Sequence, residues 1–206
     1  MANPTLRTLR LVLWGLVAIA VVGVGIYVLL PRGATSPSPI APAVAQQYGA
    51  GDYTLVTDEG GPADDSIFVG QPSMVFFGFT HCPDVCPTTL GEMALWFSEL
   101  GEEAADLRAF FVTVDPERDT PEVLNQYVGW VSDRITGLTG TPENIDAMAA
   151  AWGVHHEVVP LDSGGYNVDH TASVFLIDAQ GEFQGTIAYG EATQTALDKL
   201  RMLVRG

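Results

Sequence analysis

A chain of 206 residues, 47% of them hydrophobic, has material for one well-packed domain plus appendages. From Gly33 onward six Lys or Arg stand against 25 acidic residues, a balance of −19, which makes nucleic acid and anionic lipid poor partners. Solubility is the plain reading of that charge, and a basic or metal-carrying partner is compatible with it.

The first ten residues carry Arg7 and Arg10 and no acid, and Leu11 to Leu30 holds no charge at all. As a helix, about twenty residues rise ~30 Å, enough to cross the hydrocarbon core. A cleaved signal peptide competes with that reading, because Ala43-Val44-Ala45 resembles a cleavage site. It lies thirteen residues past the apolar run, however, and the run exceeds the roughly 7–15 residues of a signal sequence. An uncleaved transmembrane anchor is therefore expected at residues 11–30. Arginines precede the span and only Arg32 follows closely, so residues 1–10 are expected in the cytoplasm and the remainder outside. Ten residues leave no room for a mitochondrial targeting sequence, which favours a bacterial inner membrane with a periplasmic domain. Residues 31–48 include Pro31, Pro37, Pro39 and Pro42 among Ala and Ser and read as a tether. Residues 49–206 make the domain.

Two short strands, Tyr53 to Val56 and Ser66 to Val69, are expected to open it across Glu59-Gly60-Gly61. Met74 to Phe79 is continuously apolar, the pattern of a strand buried on both faces. After the cysteine loop, Leu90, Met93, Ala94, Phe97 and Leu100 form a helical stripe. Phe110 to Val114 is a second buried strand. Thr120-Pro121-Glu122 and Thr141-Pro142-Glu143 are matching helix starts, each a capping hydroxyl, a proline and an acid. Their inner faces are Val123, Leu124, Tyr127, Val128 and Val131, then Ile145, Met148, Ala149 and Trp152. A short strand at Ile135 to Leu138 separates them. Strands follow at Val154 to Val159, Val174 to Ile177 and Phe183 to Ala188, with a loop through Asp162–Tyr166 and a closing helix from about Thr193 to Val204. The alternation predicts one α/β domain with a mixed sheet.

The only cysteines, Cys82 and Cys86, lie between the first buried strand and its helix. Pro87 suits a first helical turn. A helix N-terminus lowers thiol pKa, so thiolate chemistry is expected there. A structural disulfide, a redox pair and a metal site all fit the C-x₃-C spacing, although a bridge across so few residues stabilises little. His170, in Tyr166-Asn167-Val168-Asp169-His170-Thr171, enters a strand expected beside the cysteine strand and would face the two sulfurs. Two thiolates and an imidazole suit Cu(I), and a further ligand adapts the set to Cu(II). Zinc accepts the same donors but completes four-coordination. Asp84 and Asp169 flank these residues, where they would orient a ligand, meet a partner or simply face water. His81, His155 and His156 read as surface or structural histidines, and Asp115, Arg118 and Asp119 as a capping and salt-bridge cluster.

The stretches Phe77-Gly78-Phe79-Thr80-His81-Cys82-Pro83-Asp84-Val85-Cys86-Pro87, Val114-Asp115-Pro116-Glu117-Arg118-Asp119-Thr120-Pro121-Glu122 and Val168-Asp169-His170-Thr171 resemble the Sco/SenC family, in the right order. The resemblance covers Tyr53 to the C-terminus and extends to the anchor and tether. It implies a thioredoxin-like fold holding one copper, Cu(I) or Cu(II), per chain, with Cys82, Cys86 and His170 as the metal ligands. It further implies a role in assembling the binuclear copper centre of cytochrome c oxidase subunit II, with another copper chaperone or a thiol reductant as further partners. That is a metallochaperone rather than an enzyme of turnover. The rival is a thiol–disulfide oxidoreductase or redox sensor using Cys82 and Cys86. Thioredoxin-type reductases carry C-x₂-C, and their fold needs no histidine where His170 stands.

Overall fold

The computed structural model describes residues 47–206, together with Trp14. Its elements run β1 (Leu55–Thr57), β2 (Pro62–Ala63), β3 (Ser73–Gly78), α1 (Val85–Leu100), β4 (Arg108–Thr113), α2 (Pro121–Gly129), β5 (Ile135–Thr139), α3 (Pro142–Trp152), β6 (His156–Pro160), β7 (Tyr166–His170), β8 (Ser173–Ile177), β9 (Phe183–Ala188) and α4 (Thr193–Arg205). Seven strands form one sheet in the order β2-β1-β5-β4-β3-β8-β9, and β6 and β7 form a separate hairpin. No helix among the described residues is long and apolar enough to cross a membrane. Apart from Trp14, the anchor expected at residues 11–30 lies outside the described residues, as does most of the tether at 31–48.

The apolar run before the cysteines becomes β3, in the middle of the sheet and buried along its whole length. It runs parallel to β4 and antiparallel to β8. The carboxyl ends of β3 and β4 and the amino end of β8 therefore meet at one edge. In α/β sheets that edge is where ligands gather. Both Thr-Pro-Glu signals start helices: Thr120 Oγ1 accepts from the Val123 N–H and Thr141 Oγ1 from the Asn144 N–H, each at 3.4 Å. The α1 stripe buries Leu90, Met93, Phe97 and Leu100, with Trp96 added to it. Trp152, at the end of α3, sits edge-on to Phe68, Phe77 and Phe175 in the core.

Two expectations are corrected. Ser66 to Val69 is not a strand: residues Asp65–Phe68 form a 3₁₀ turn, capped by Asp64, whose carboxylate accepts the Ser66 N–H at 3.0 Å. Such local bonding offers the backbone an alternative to a ladder, and the turn drives Phe68 into contact with Phe110 and Trp152. β1 instead pairs with β2 and, antiparallel, with β5. The second correction concerns His170. Residues Tyr166–His170, expected as a loop, are strand β7, paired residue for residue with β6. Gly164 and Gly165, at φ +89° and +78°, turn the chain between the two strands.

Candidate metal centre

The three sequence-predicted ligand residues meet at the carboxyl edge of β3. Donor atoms of Cys82, Cys86 and His170 all lie within 4.8 Å of one another. Cys86 Sγ and His170 Nε2 are 3.5 Å apart. Both cysteines are free thiols; Cys86 is fully buried and Cys82 half-buried. Gly78, the last residue of β3, makes room for this packing. A Cβ there would stand 2.8 Å from Cys86 Sγ and 2.7 Å from Phe111 Cε2, closer than atoms tolerate.

Cys86 occupies the first turn of α1, and its backbone N–H donates to Cys82 Sγ at 3.4 Å. One of the otherwise unpartnered donors of the helix start is thus aimed at sulfur. The preceding Asp84 makes no side-chain cap. The expectation that the helix end favours thiolate is overturned at Cys86. Burial, the larger effect, pushes its thiol well above the ordinary value, while a hydrogen bond from the Phe79 backbone only partly opposes it. Cys86 is therefore a neutral thiol at neutral pH until a cation displaces its proton.

His170 has the opposite preparation. Burial lowers its pKa below the usual imidazole value, against the Thr171 carbonyl and Asp169, which work the other way. The ring is neutral at neutral pH. Its Nδ1 lies 3.1 Å from the Thr171 carbonyl oxygen. A carbonyl only accepts, so the proton sits on Nδ1 and the lone pair on Nε2 faces the sulfur. The Phe76 and Phe79 rings hold the imidazole edge-on, at 6.1 and 5.8 Å between centroids.

The loop that carries Cys82 is tied down by a residue whose role the sequence did not reveal. Asp119 is fully buried, and its carboxylate accepts from the Thr80 N–H at 3.0 Å, the Thr80 hydroxyl at 2.6 Å and the Thr113 hydroxyl at 2.7 Å. Thr113, six residues before Asp119, was the nearest signal, but only the fold brings Thr80 to it. Tyr127 also belongs to the neighbourhood: its phenol is buried without a partner, and burial followed by the sulfurs of Cys86 and Cys82 keeps it protonated. Asp84 and Asp169 make no hydrogen bond to the side chains of Cys82, Cys86 or His170. Both line the mouth of a cleft of about 490 Å³ that opens onto Cys82 and His170. His81 is exposed, 4.0 Å from Asp119 Oδ1. His155 and His156 diverge: His155 is largely exposed, and His156 pairs with Asp146 at 3.3 Å. A second cavity of about 490 Å³, between β8, β9 and the end of α4, is remote from this chemistry.

Two sulfurs and one neutral imidazole nitrogen, set at the end of a rigid strand and open on one side, form a soft low-coordinate donor set. Among proteins of known sequence, the mitochondrial SCO1 homologue of Mus musculus is 42% identical over 136 residues, 65% of this chain and 48% of that protein. SenC of Rhodobacter capsulatus is 36% identical over 128 residues, 62% of this chain and 58% of its own. The chain spans about half the length of the curated relatives it matches first. The crystal structure of Arabidopsis thaliana ScoI with copper bound superposes with a TM-score of 0.71 at 29% identity, covering 76% of this chain and 98% of that one. The fold is thus thioredoxin-like. With the SCO1/SenC family model matched from residue 42 to residue 205, over a domain that brings the three separated motifs to one strand edge, the chain belongs to the SCO1/SenC family.

Proposed function

We propose that this protein is a membrane-anchored copper metallochaperone that carries one copper ion per chain on Cys82, Cys86 and His170. Its cargo serves assembly of the binuclear copper centre of cytochrome c oxidase subunit II. The observation that carries the reading is the meeting of three soft donors within 4.8 Å in a family whose Arabidopsis member holds copper in its crystal structure. The donors fit the ion. Two thiolates alone satisfy Cu(I), and the imidazole supplies the nitrogen that Cu(II) favours. The cleft at Asp84 and Asp169 leaves one side open for handing the ion over.

The anchor at residues 11–30 and a cytoplasmic residue 1–10 segment belong to the same proposal. Arg7, Arg10 and the uncharged span support them, and the same proposal puts residues 49–206 in the periplasm of a bacterium, a setting in keeping with the likeness to SenC of Rhodobacter capsulatus. A second reading has its own observation: two free thiols within 4.8 Å, one in the loop after β3 and one in the first turn of α1, able to form a disulfide. Thiol–disulfide exchange with the oxidase subunit, with a thiol reductant as partner, would use the same pair.

The test is a copper titration of the reduced protein beside Cys82→Ser, Cys86→Ser and a fully oxidised sample, with oxidase activity measured in cells carrying each variant. One copper per chain is expected, lost in both serine variants and on oxidation. Copper bound equally after complete disulfide formation would remove the cysteines from the site. Normal oxidase activity in cells carrying Cys82→Ser would remove the assembly role.

A further inference from the structure

The hairpin that carries His170 is not part of the main sheet. Its hold on the core is therefore made by side chains, and three of them converge near its turn, at the first residue of β7. The Tyr166 hydroxyl donates to Asp115 Oδ1 at 2.9 Å. The Arg118 guanidinium lies over the Tyr166 ring, 3.8 Å from its centroid, and donates from Nη1 to the Tyr166 carbonyl at 3.2 Å. Arg118 Nε pairs with the buried Asp115 carboxylate, and its other face approaches the Phe79 ring at 5.8 Å. At the far end, the Thr171 N–H donates to the His155 carbonyl, and the Thr171 hydroxyl accepts from the His155 N–H, both at 3.0 Å. That second tie joins the hairpin to itself rather than to the core.

We propose that Asp115, Arg118 and Tyr166 act as positioning residues, a clamp that fixes His170 against the two cysteines and so sets the site's preference for an ion needing the imidazole. In a strand, alternate residues share a face, so Tyr166, Val168 and His170 lie together, and Val168 is buried between the other two. A shift at Tyr166 is thus carried along a short rigid strand to the imidazole. The same β4–α2 loop holds the cysteine side through Asp119. One loop accordingly sets both halves of the site. A charged pair with several bonds and one partner buried holds its geometry more firmly than a fully exposed pair, because less water competes for its groups.

This inference rests on the copper reading above, and its test separates the two. Arg118→Gln and Tyr166→Phe are compared with wild type and with His170→Ala, singly and combined. Cu(II) affinity is expected to fall about 10–100-fold in Arg118→Gln, the range for removing a group that orients a ligand. Its thiolate-to-Cu(II) absorption should move toward that of His170→Ala, while Cu(I) binding by the two sulfurs is kept. In the His170→Ala background Arg118→Gln should cause no further loss, since the imidazole it positions is gone. Without metal, amide hydrogen exchange at Val168, Asp169 and His170 should quicken while that of β3 stays unchanged. Tyr166→Phe removes only the hydroxyl, and it carries the test if Arg118→Gln fails to fold. Wild-type Cu(II) affinity and spectrum in a folded variant would overturn the clamp, as would losses equal for Cu(I) and Cu(II) or fully additive with His170→Ala. If the wild-type chain bound no copper, the metallochaperone reading would fall, and the exchange rates of the metal-free protein would decide the clamp alone.

Discussion

Cys86 and His170 are prepared for metal in opposite ways, and each preparation has a measurable consequence. His170 is a neutral imidazole with its lone pair already aimed at sulfur. Its replacement by Ala removes a donor, its long 3.5 Å contact with the buried Cys86 sulfur and two edge contacts with Phe76 and Phe79. Metal-free His170→Ala is therefore expected to lose only about 1 kcal/mol in denaturant unfolding, to keep Cu(I), and to lose the thiolate-to-Cu(II) absorption band. Cys86 is a buried thiol whose pKa is raised in the folded state above its ordinary 9.0. The unfolded chain then releases this proton at a lower pH than the folded one. Stability of the reduced, metal-free protein is full below the ordinary thiol range and falls as pH rises through it. Between about pH 8.5 and 10, Cys86 should contribute a loss approaching 1.4 kcal/mol per pH unit, read as the difference between wild type and Cys86→Ala in urea unfolding. Equal slopes in the two proteins would show that Cys86 is not held as a thiol.

At the level of elements, the site is a strand end, a helix start and a hairpin brought to one sheet edge. Gly78 lets the helix start approach the strand, so Gly78→Ala is expected to cost about 1–3 kcal/mol through overpacking and to weaken metal binding by displacing the Cys86 sulfur. Asp119 fixes the cysteine loop, and Asp119→Ala should cost roughly 2–3 kcal/mol in urea unfolding because it strands buried donors of Thr80 and Thr113. Loss of metal affinity without loss of stability in Asp119→Ala would place the residue on the metal rather than on the loop. The strand, the helix start and the convergence of Cys82, Cys86 and His170 were legible because apolar runs, the Thr-Pro-Glu caps and soft donors are local signals. The hairpin was also legible in principle: Tyr166, Val168 and His170 alternate with Asn167 and Asp169, the period of a half-buried strand. Polar residues and the Gly164-Gly165 turn disguised it as a loop. Asp64 hid the 3₁₀ turn in the same way, by local bonding that composition does not report. The thiol pKa at Cys86 was misread because helix position is visible in a sequence whereas depth of burial is not. Asp115 and Arg118 were legible as a charged pair, but their partner Tyr166 lies some fifty residues away and only the fold supplies it.

For the whole molecule, the sheet places a platform of buried apolar strands beneath a site that opens onto a cleft. Cys86 is buried, Cys82 and His170 reach the cleft, and Asp84 and Asp169 stand at its mouth. The balance of −19 from Gly33 onward favours solubility and is compatible with the carrier role proposed above. The account depends on one claim, that a single copper is held by two sulfurs and one imidazole nitrogen from residues 82, 86 and 170. X-ray absorption fine structure at the copper edge of the loaded protein, compared with loaded His170→Ala, tests it most directly. Two sulfur scatterers with one imidazole nitrogen are expected in wild type, and two sulfurs without the imidazole signature in Cu(I)-loaded His170→Ala. A wild-type spectrum lacking sulfur, or an imidazole contribution undiminished in His170→Ala, would contradict the assignment.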